Sequence, residues 1–115
     1  MTDQIGEELA RWGKVAWLET TGRSSGNSVT AAVGFVEAGD GVLFVAAGSE
    51  SADWALNLLA NPRCHVTISD TAGWYDAAEA DNADRAKVVV ELILKYGTPA
   101  ERLGRGPVFR LTPVE

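Results

Sequence analysis

Short stretches rich in valine, threonine and aromatic residues recur along the chain, and glycine, proline, asparagine or aspartate separates them. Such stretches are typical of β-strands, and they lie at residues 14–20, 28–36, 42–47, 64–69, 73–80 and 107–112. The glycine-bearing segment after the first stretch and the turn EAGDG at 37–41 predict a three-stranded meander. The segment DTAG at 70–73 predicts a second hairpin between the fourth and fifth stretches.

Two segments combine a helical spacing of apolar residues with helix start and stop signals. At residues 3–12, Ile5, Leu9 and Trp12 follow one helix face, and Gly13 ends the pattern. At residues 51–62, Ser51 is a candidate N-cap, Asp53 places negative charge in the first turn, and Asn61 before Pro62 supplies a stop. The first helix would cover part of the sheet.

A third helix is predicted at residues 81–97, where Asp81 or Asn82 begins it and Gly97 ends it. Its expected buried stripe consists of Ala86, Val89, Val90, Ile93 and Leu94. Many short strands favour a closed or nearly closed barrel, because closure removes exposed edges. We therefore predict a mainly β, α+β fold: a split antiparallel β-barrel of about six strands with two or three flanking helices.

Composition narrows the class of protein. The 115 residues and 46% hydrophobic content suit one domain spanning residues 1–115. Sixteen acidic against ten basic residues give a net charge of −6, which argues against a nucleic-acid partner. No apolar run is long enough for a membrane span, so we expect a cytoplasmic protein. Cys64 is the only cysteine, which excludes an internal disulfide.

Three motifs together resemble one family. They are LETTGRSSG at 18–26, VLFVAAGS at 42–49 and DWALNLLANP at 53–62, and the likeness resumes in GPVFRLTPV at 106–114. The combination is similar to the deazaflavin-dependent nitroreductase family, whose members use reduced coenzyme F420 on a split β-barrel. The resemblance implies an oxidoreductase that binds F420, or another flavin such as FMN, and passes hydride to a small organic acceptor. It also implies a homodimer.

The serine- and glycine-rich turn has the chemistry of an anion site. Glycines let successive N–H groups point into one concavity, serine hydroxyls add donors, and Arg23 adds charge. The resemblance implies a cofactor site formed by Arg23, Ser24, Ser25, Gly26, Asn27, Ala47, Gly48, Ser49 and Trp54. No catalytic side chain and no metal ligand is assigned, because the deazaflavin itself carries the hydride. Many members of the family carry basic residues near Ser24, Val29 and Ser49, which are neutral in this chain.

Each candidate also has a structural interpretation. The segment TGRSSGNS at 21–28 has the composition of an ordinary hairpin loop. An aromatic residue on the inner face of a helix, as Trp54 would be, belongs more often to a core than to a ligand site. His65 is expected to be a structural, hydrogen-bonded histidine, and Arg110 is expected on a solvated face of its strand.

Three functions therefore stay open at the level of sequence. The first is the F420- or flavin-dependent oxidoreductase. The second is a non-catalytic split barrel that binds haem, a lipid or another apolar ligand. The third is a ligand-free barrel that serves as an interaction partner, since a shared fold does not fix function.

Overall fold

A computed structural model of the protein describes residues 15–47, 52–96 and 106–114. The predicted helix at 3–12 and the predicted cofactor residues Gly48 and Ser49 lie outside these ranges. The described chain forms seven strands, β1 (Ala16–Thr21), β2 (Ser28–Val33), β3 (Phe35–Glu37), β4 (Leu43–Ala46), β5 (Arg63–Ile68), β6 (Thr71–Glu79) and β7 (Val108–Pro113). Two helices accompany them, α1 (Asp53–Ala60) and α2 (Asn82–Tyr96).

All seven strands belong to one antiparallel sheet in the order β2-β1-β5-β6-β7-β4-β3. The strands at the two ends of this order, β2 and β3, are consecutive in the chain and are separated only by Gly34. The two ends of the sheet therefore meet at one residue, and the sheet curls into a split barrel. The predicted mainly β, α+β split barrel is confirmed.

The predicted three-stranded meander is wrong at its second strand. Residues 28–36 do not form one strand, because β2 pairs with β1 whereas β3 pairs with β4. Val33 and Phe35 on either side of Gly34 are both buried, so the inward-facing pattern continues while the backbone changes partner. A glycine inside a strand commonly marks such a corner of a barrel.

The second hairpin is confirmed, but its turn is shorter than predicted. The strands β5 and β6 are joined by Ser69 and Asp70 alone, and Ser69 has a φ of 56°. Gly73 lies inside β6, opposite Val66, rather than in the turn. Cross-strand pairing therefore continues through Gly73, although glycine usually ends a strand.

The helix α1 begins one residue later than expected. Ala52 occupies the N-cap position and makes no side-chain cap bond, and the predicted N-cap Ser51 lies outside the described residues. The predicted end is confirmed, since the N–H of Asn61 donates to the carbonyl of Asn57 at 2.8 Å. No helix within residues 15–47, 52–96 and 106–114 has the length and apolar character that a membrane span requires.

The helix α2 is confirmed, but its predicted buried face is only partly confirmed, because Ile93 packs against the core whereas Ala86 is exposed. The Asp81 side chain caps its start, because Oδ1 accepts from the N–H of Asp84 at 2.8 Å. Leu92 is fully buried, whereas Leu94 is 81% exposed and Val90 is 57% exposed. Six of the seven residues from 88 to 94 are apolar, so two neighbouring faces satisfy the helical period and the pattern does not fix the phase.

Two apolar clusters fill the space around the sheet. The larger lies between the inner face of the barrel and α1, and Phe109, Leu18, Leu111 and Val45 are among its most buried members. The smaller lies beneath α2 and contains Ala46, Val88, Leu92 and Val108. The larger cluster packs α1 against β1 and β2, which places the β1–β2 loop beside α1, where the candidate site forms.

Candidate ligand-binding groove

The β1–β2 loop, residues 22–27, is closed by its own backbone. The N–H of Gly22 donates to the carbonyl of Asn27 at 2.7 Å, and the N–H of Gly26 donates to the carbonyl of Gly22 at 2.9 Å. Gly26 has a φ of 76°, and a Cβ on Gly22 would lie 2.7 Å from the Ser25 hydroxyl oxygen. Both glycines are therefore required by the geometry of the loop.

Asn57 on α1 connects this loop to the helix. Its side chain is 2% exposed, and its Nδ2 donates to Thr20 Oγ1 at 3.1 Å. Its Oδ1 accepts from the backbone N–H of Arg23 at 3.1 Å and from Arg23 Nη1 at 2.8 Å. A buried amide is stable only when such partners satisfy it, so Asn57 fixes both the loop and the Arg23 side chain.

The Arg23 guanidinium is shared between two residues of α1. Besides the bond to Asn57, Nη2 lies 3.3 Å from Asp53 Oδ1, and Nη1 lies 3.5 Å from the Asp53 carbonyl oxygen. The Arg23 side chain is 39% exposed and the Asp53 side chain is 79% exposed. The sequence suggested that the Arg23 guanidinium would bind an anion. In this structure, the Asp53 carboxylate balances its charge.

A groove of about 230 Å³ opens beside the loop. Its described lining consists of Gly22, Arg23, Ser24, Ser25, Val29, Asp53 and Asn57. Within the described part of the chain, the backbone N–H groups of Ser24 and Ser25 make no hydrogen bond. Pockets for drug-sized ligands have volumes of roughly 300–1,000 Å³. The groove thus suits one small polar or anionic group rather than a complete tricyclic ring.

The groove brings together only some of the predicted cofactor residues. Arg23, Ser24 and Ser25 line it, and Gly26 and Asn27 belong to the same loop without lining it. Ala47 is 1% exposed, and its N–H donates to the carbonyl of Pro107 at 2.9 Å. It belongs to the apolar core.

Trp54 also packs against the core. Its ring centroid lies 6.0 Å from that of Phe109, with the two planes tilted by 58°. Trp54 is absent from the described lining of the groove. Packing against the core therefore explains the position of Trp54. Its contact with a cofactor stays a prediction.

Sequence reasoning missed Asn57 and assigned Asp53 only to helix initiation. The signal for Asn57 was present, because an asparagine at a buried position of an apolar helix needs polar partners. Its partner Thr20 is 2% exposed on β1, and nothing local in the sequence links residues 37 positions apart. The groove is therefore a tertiary feature built from two separate motifs.

His65 and Arg110 lie on the outer surface of the sheet. His65 packs edge-on against Trp74, with ring centroids 5.0 Å apart and planes at 67°. This ring contact, rather than a hydrogen bond within the described residues, is what holds His65. Arg110 is exposed on β7, as predicted.

A second, larger cavity of about 610 Å³ lies between the β3–β4 and β5–β6 hairpins. Its lining includes the apolar residues Leu43 and Ile68 and the acidic residues Glu37 and Asp40. The sequence patterns did not predict this cavity, because its two walls come from hairpins that are distant in the chain.

Among the described residues, burial shifts the pKa of two titratable groups. The pKa of Cys64 is raised to about 12, mainly by burial and also by the charge of Asp76, while the charge of Arg63 opposes the rise. Burial lowers the pKa of Lys95, against the influence of Glu37. The Lys95 Nζ donates to the Phe35 carbonyl at 2.9 Å and lies 3.6 Å from the centroid of the Phe35 ring. The Cys64 thiol is therefore unsuited to act as a nucleophile near neutral pH.

The curled seven-stranded sheet with its two helices defines a split β-barrel protein, and a polar loop faces one of the helices. The chain belongs to the F420H₂-dependent quinone reductase family, whose model matches residues 1–109. This confirms the resemblance to F420-dependent reductases, whereas nitroreduction stays a prediction. No curated protein matches the chain.

Solved structures show the same fold at low sequence identity. The haem storage protein HutZ from Vibrio cholerae has a TM-score of 0.75 and 20% identity, with 100% of this chain and 92% of that chain covered. An F420-H₂-dependent reductase, FDR-A, has a TM-score of 0.72 and 24% identity, with 85% and 93% covered. A putative pyridoxamine 5′-phosphate oxidase from Listeria innocua has a TM-score of 0.69 and 12% identity, with 97% and 95% covered.

Proposed function

We propose that the protein is an oxidoreductase that binds F420 or a related flavin cofactor and transfers hydride to a small organic acceptor. The observation that carries the proposal is the groove beside Arg23, Ser24 and Ser25 in a chain of the F420H₂-dependent quinone reductase family. The groove combines two hydroxyls, two backbone N–H groups without partners in the described chain, and one guanidinium. Such donors suit a phosphate group.

Each residue of the groove would have its own role in binding the cofactor. Ser24 and Ser25 would donate hydrogen bonds to the cofactor phosphate, and Arg23 would supply positive charge from the groove wall. Asn57 would hold Arg23 in place through its 2.8 Å bond. The other proposed contacts are Gly26, Asn27, Ala47, Gly48, Ser49 and Trp54. When bound, the reduced deazaflavin supplies the hydride from its C5 carbon.

The groove volume of about 230 Å³ accommodates the phosphate end of such a cofactor and not its ring. The ring would therefore lie beyond the described lining. The protein would contribute orientation of the cofactor and exclusion of water, and these effects accelerate hydride transfer without a protein acid or base.

The decisive test is a titration of the purified protein with F420 and FMN, followed by fluorescence. Ser24→Lys adds a cation at the groove, whereas Ser28→Lys adds the same charge at an exposed position outside its described lining. We expect S24K to tighten F420 binding about fivefold, as a surface charge contact of about 1 kcal/mol would, and S28K to change it less than twofold. Absence of binding by the unaltered protein, or equal effects of the two lysines, would contradict the proposal.

A non-catalytic split barrel that binds haem or another apolar ligand is the alternative. It is supported by the likeness to HutZ over 100% of this chain and by the cavity of about 610 Å³ with its partly apolar lining. Haem added in the same titration separates the two functions. Haem binding without F420 or FMN binding would establish the alternative.

We further propose a cytoplasmic homodimer. A solved structure described as a domain-swapped dimer has a TM-score of 0.70 and 21% identity to this chain. The exposed Val90 and Leu94 on α2 supply apolar surface that a partner would cover. Light scattering on a size-exclusion column measures the mass directly, and a monomer at micromolar concentration would contradict this part.

A further inference from the structure

We infer that Asp53 determines which charge class of ligand the groove accepts: it biases the site toward a singly charged phosphodiester and against a doubly charged phosphomonoester. The inference rests on the proposed function, because it concerns the same groove. It assigns to Asp53 a role that the sequence motifs did not suggest. Asp53 would act through Arg23 and through its own charge on the ligand.

The charge balance of the groove supports this role. Arg23 and Asp53 are the two charged side chains of its described lining, and their closest nitrogen and oxygen atoms are 3.3 Å apart. The Asp53 charge offsets that of Arg23, so a bound anion meets less positive charge than Arg23 alone would supply. Arg23 Nη1 is also bonded to Asn57 Oδ1 at 2.8 Å. An incoming anion therefore competes with two existing acceptors for the same guanidinium.

The penalty from Asp53 grows with the charge of the ligand. Two unit charges about 5 Å apart in water interact strongly enough to change an affinity about fourfold. The same carboxylate acts twice as strongly on a dianion, and its effect there is about sixteenfold. Removal of the Asp53 charge should therefore shift the preference between a dianion and a monoanion by about fourfold.

This difference separates two cofactor types. F420 carries a phosphodiester, which has one negative charge, whereas FMN carries a phosphomonoester, which is mostly doubly charged above pH 7 because its second pKa is about 6. With Asp53 present, the groove is better matched to the diester. The same carboxylate would thus favour the F420 type of cofactor at this position, even though Ser24 is neutral.

A simpler role for Asp53 makes a different prediction. A carboxylate in the first turn of a helix stabilises the helix through its favourable interaction with the helix dipole. If that were its whole contribution, Asp53→Asn would lower thermal stability slightly and would leave ligand preference unchanged. The test must therefore measure preference and not only folding.

The experiment titrates the full chain with dimethyl phosphate and with methyl phosphate at pH 7.5, and follows the amide NMR signals of Ser24 and Ser25. Asp53→Asn keeps the size of the side chain and removes its charge. The matched control is Asp76→Asn, which removes the same charge from another exposed ion pair, where Arg63 Nε lies 2.8 Å from Asp76 Oδ1. Asp76 lies outside the described lining of the groove.

We expect D53N to bind methyl phosphate about sixteenfold more tightly and dimethyl phosphate about fourfold more tightly, whereas D76N changes either affinity less than twofold. Equal effects of D53N and D76N would refute the inference, and so would an unchanged preference in D53N or signals that move with neither probe in any protein. The F420 and FMN titration decides the proposed function separately. F420 binding with an unchanged preference in D53N would overturn only the role of Asp53.

Discussion

Replacing Asn57 with alanine tests whether the connection between the β1–β2 loop and α1 holds this part of the barrel together. The substitution removes three hydrogen bonds, one to Thr20 Oγ1 and two from Arg23. Every buried side-chain nitrogen and oxygen of the described residues has a hydrogen-bond partner in the native structure. Asn57→Ala would remove the donor that the Thr20 hydroxyl oxygen accepts from and the acceptor of the Arg23 backbone N–H.

The magnitude follows from those three bonds. Each neutral hydrogen bond contributes about 1 kcal/mol net, and a buried partner left without one costs about 1–3 kcal/mol. The Arg23 head group is partly exposed, so water replaces much of its lost bond. We therefore expect a loss of about 3 kcal/mol in the free energy of unfolding, from a total that is typically about 5–15 kcal/mol for a domain. The midpoint of thermal unfolding should fall by about 10–15 °C.

Urea unfolding followed by tryptophan fluorescence measures this loss. Asn61→Ala is the matched control, because Asn61 ends the same helix, is exposed, and accepts one bond of 3.3 Å from the N–H of Arg63. The control should lose less than about 1 kcal/mol. A Thr20→Val, Asn57→Ala double variant should lose less than the sum of the single variants, because the two side chains share a bond. Equal losses for N57A and N61A would refute the reasoning.

Three further predictions test local geometry. Gly22→Ala should cost about 1–3 kcal/mol because its Cβ would lie 2.7 Å from Ser25 Oγ, whereas Gly39→Ala, where nothing lies within 4 Å, should be nearly neutral in urea unfolding. Leu92→Ala should cost about 2–5 kcal/mol and Leu94→Ala less than about 0.5 kcal/mol, since only Leu92 is buried; equal losses would contradict the assigned face of α2. The pKa of Cys64 is raised from 9.0 to about 12, so the unfolded thiol ionises first and stability should fall as pH rises from 9 toward 12. Cys64→Ala should show a shallower fall over that range, and equal slopes would contradict the shift.

The strands were largely predictable because their side chains alternate and their turns carry glycine or aspartate. Gly34 was a signal of an irregularity inside the strand pattern 28–36, but nothing in the sequence showed that the two halves pair with different strands. Which edge each half joins depends on the closure of the whole barrel. Sequence periodicity reports local structure and contains no direct record of that closure.

The phase of α2 shows a different limit. Nearly all residues of the segment 88–94 are apolar, so apolar side chains lie on most sides of the helix. Which face is buried, that of Val88 and Leu92 or that of Val90 and Leu94, depends on the elements that pack against the helix. The helix itself was predictable from Asp81 and its spacing. The contact with β3 and β4 that selects its face was not.

The candidate site was half predictable for a related reason. Local chemistry pointed to Arg23, Ser24 and Ser25, and these residues do line one groove. Ala47 and Trp54 were assigned by resemblance, and the structure places both against the apolar core. Residues that are adjacent in a motif need not share a surface, because neighbours on a strand or helix point in different directions.

The motif that carries the family likeness has a structural role of its own. Thr20 and Arg23 of the first motif bond to Asn57 of the helical motif, and Gly22 permits the tight loop between them. These bonds stabilise the barrel whether or not a ligand is present. Among the described residues of the loop, the backbone N–H groups of Ser24 and Ser25 remain for a ligand, whereas Ser25 Oγ already accepts from the N–H of Asn27 at 3.1 Å. The function proposed for this groove therefore depends on a short polar segment and on the Asp53 carboxylate, which lies 3.3 Å from the Arg23 guanidinium.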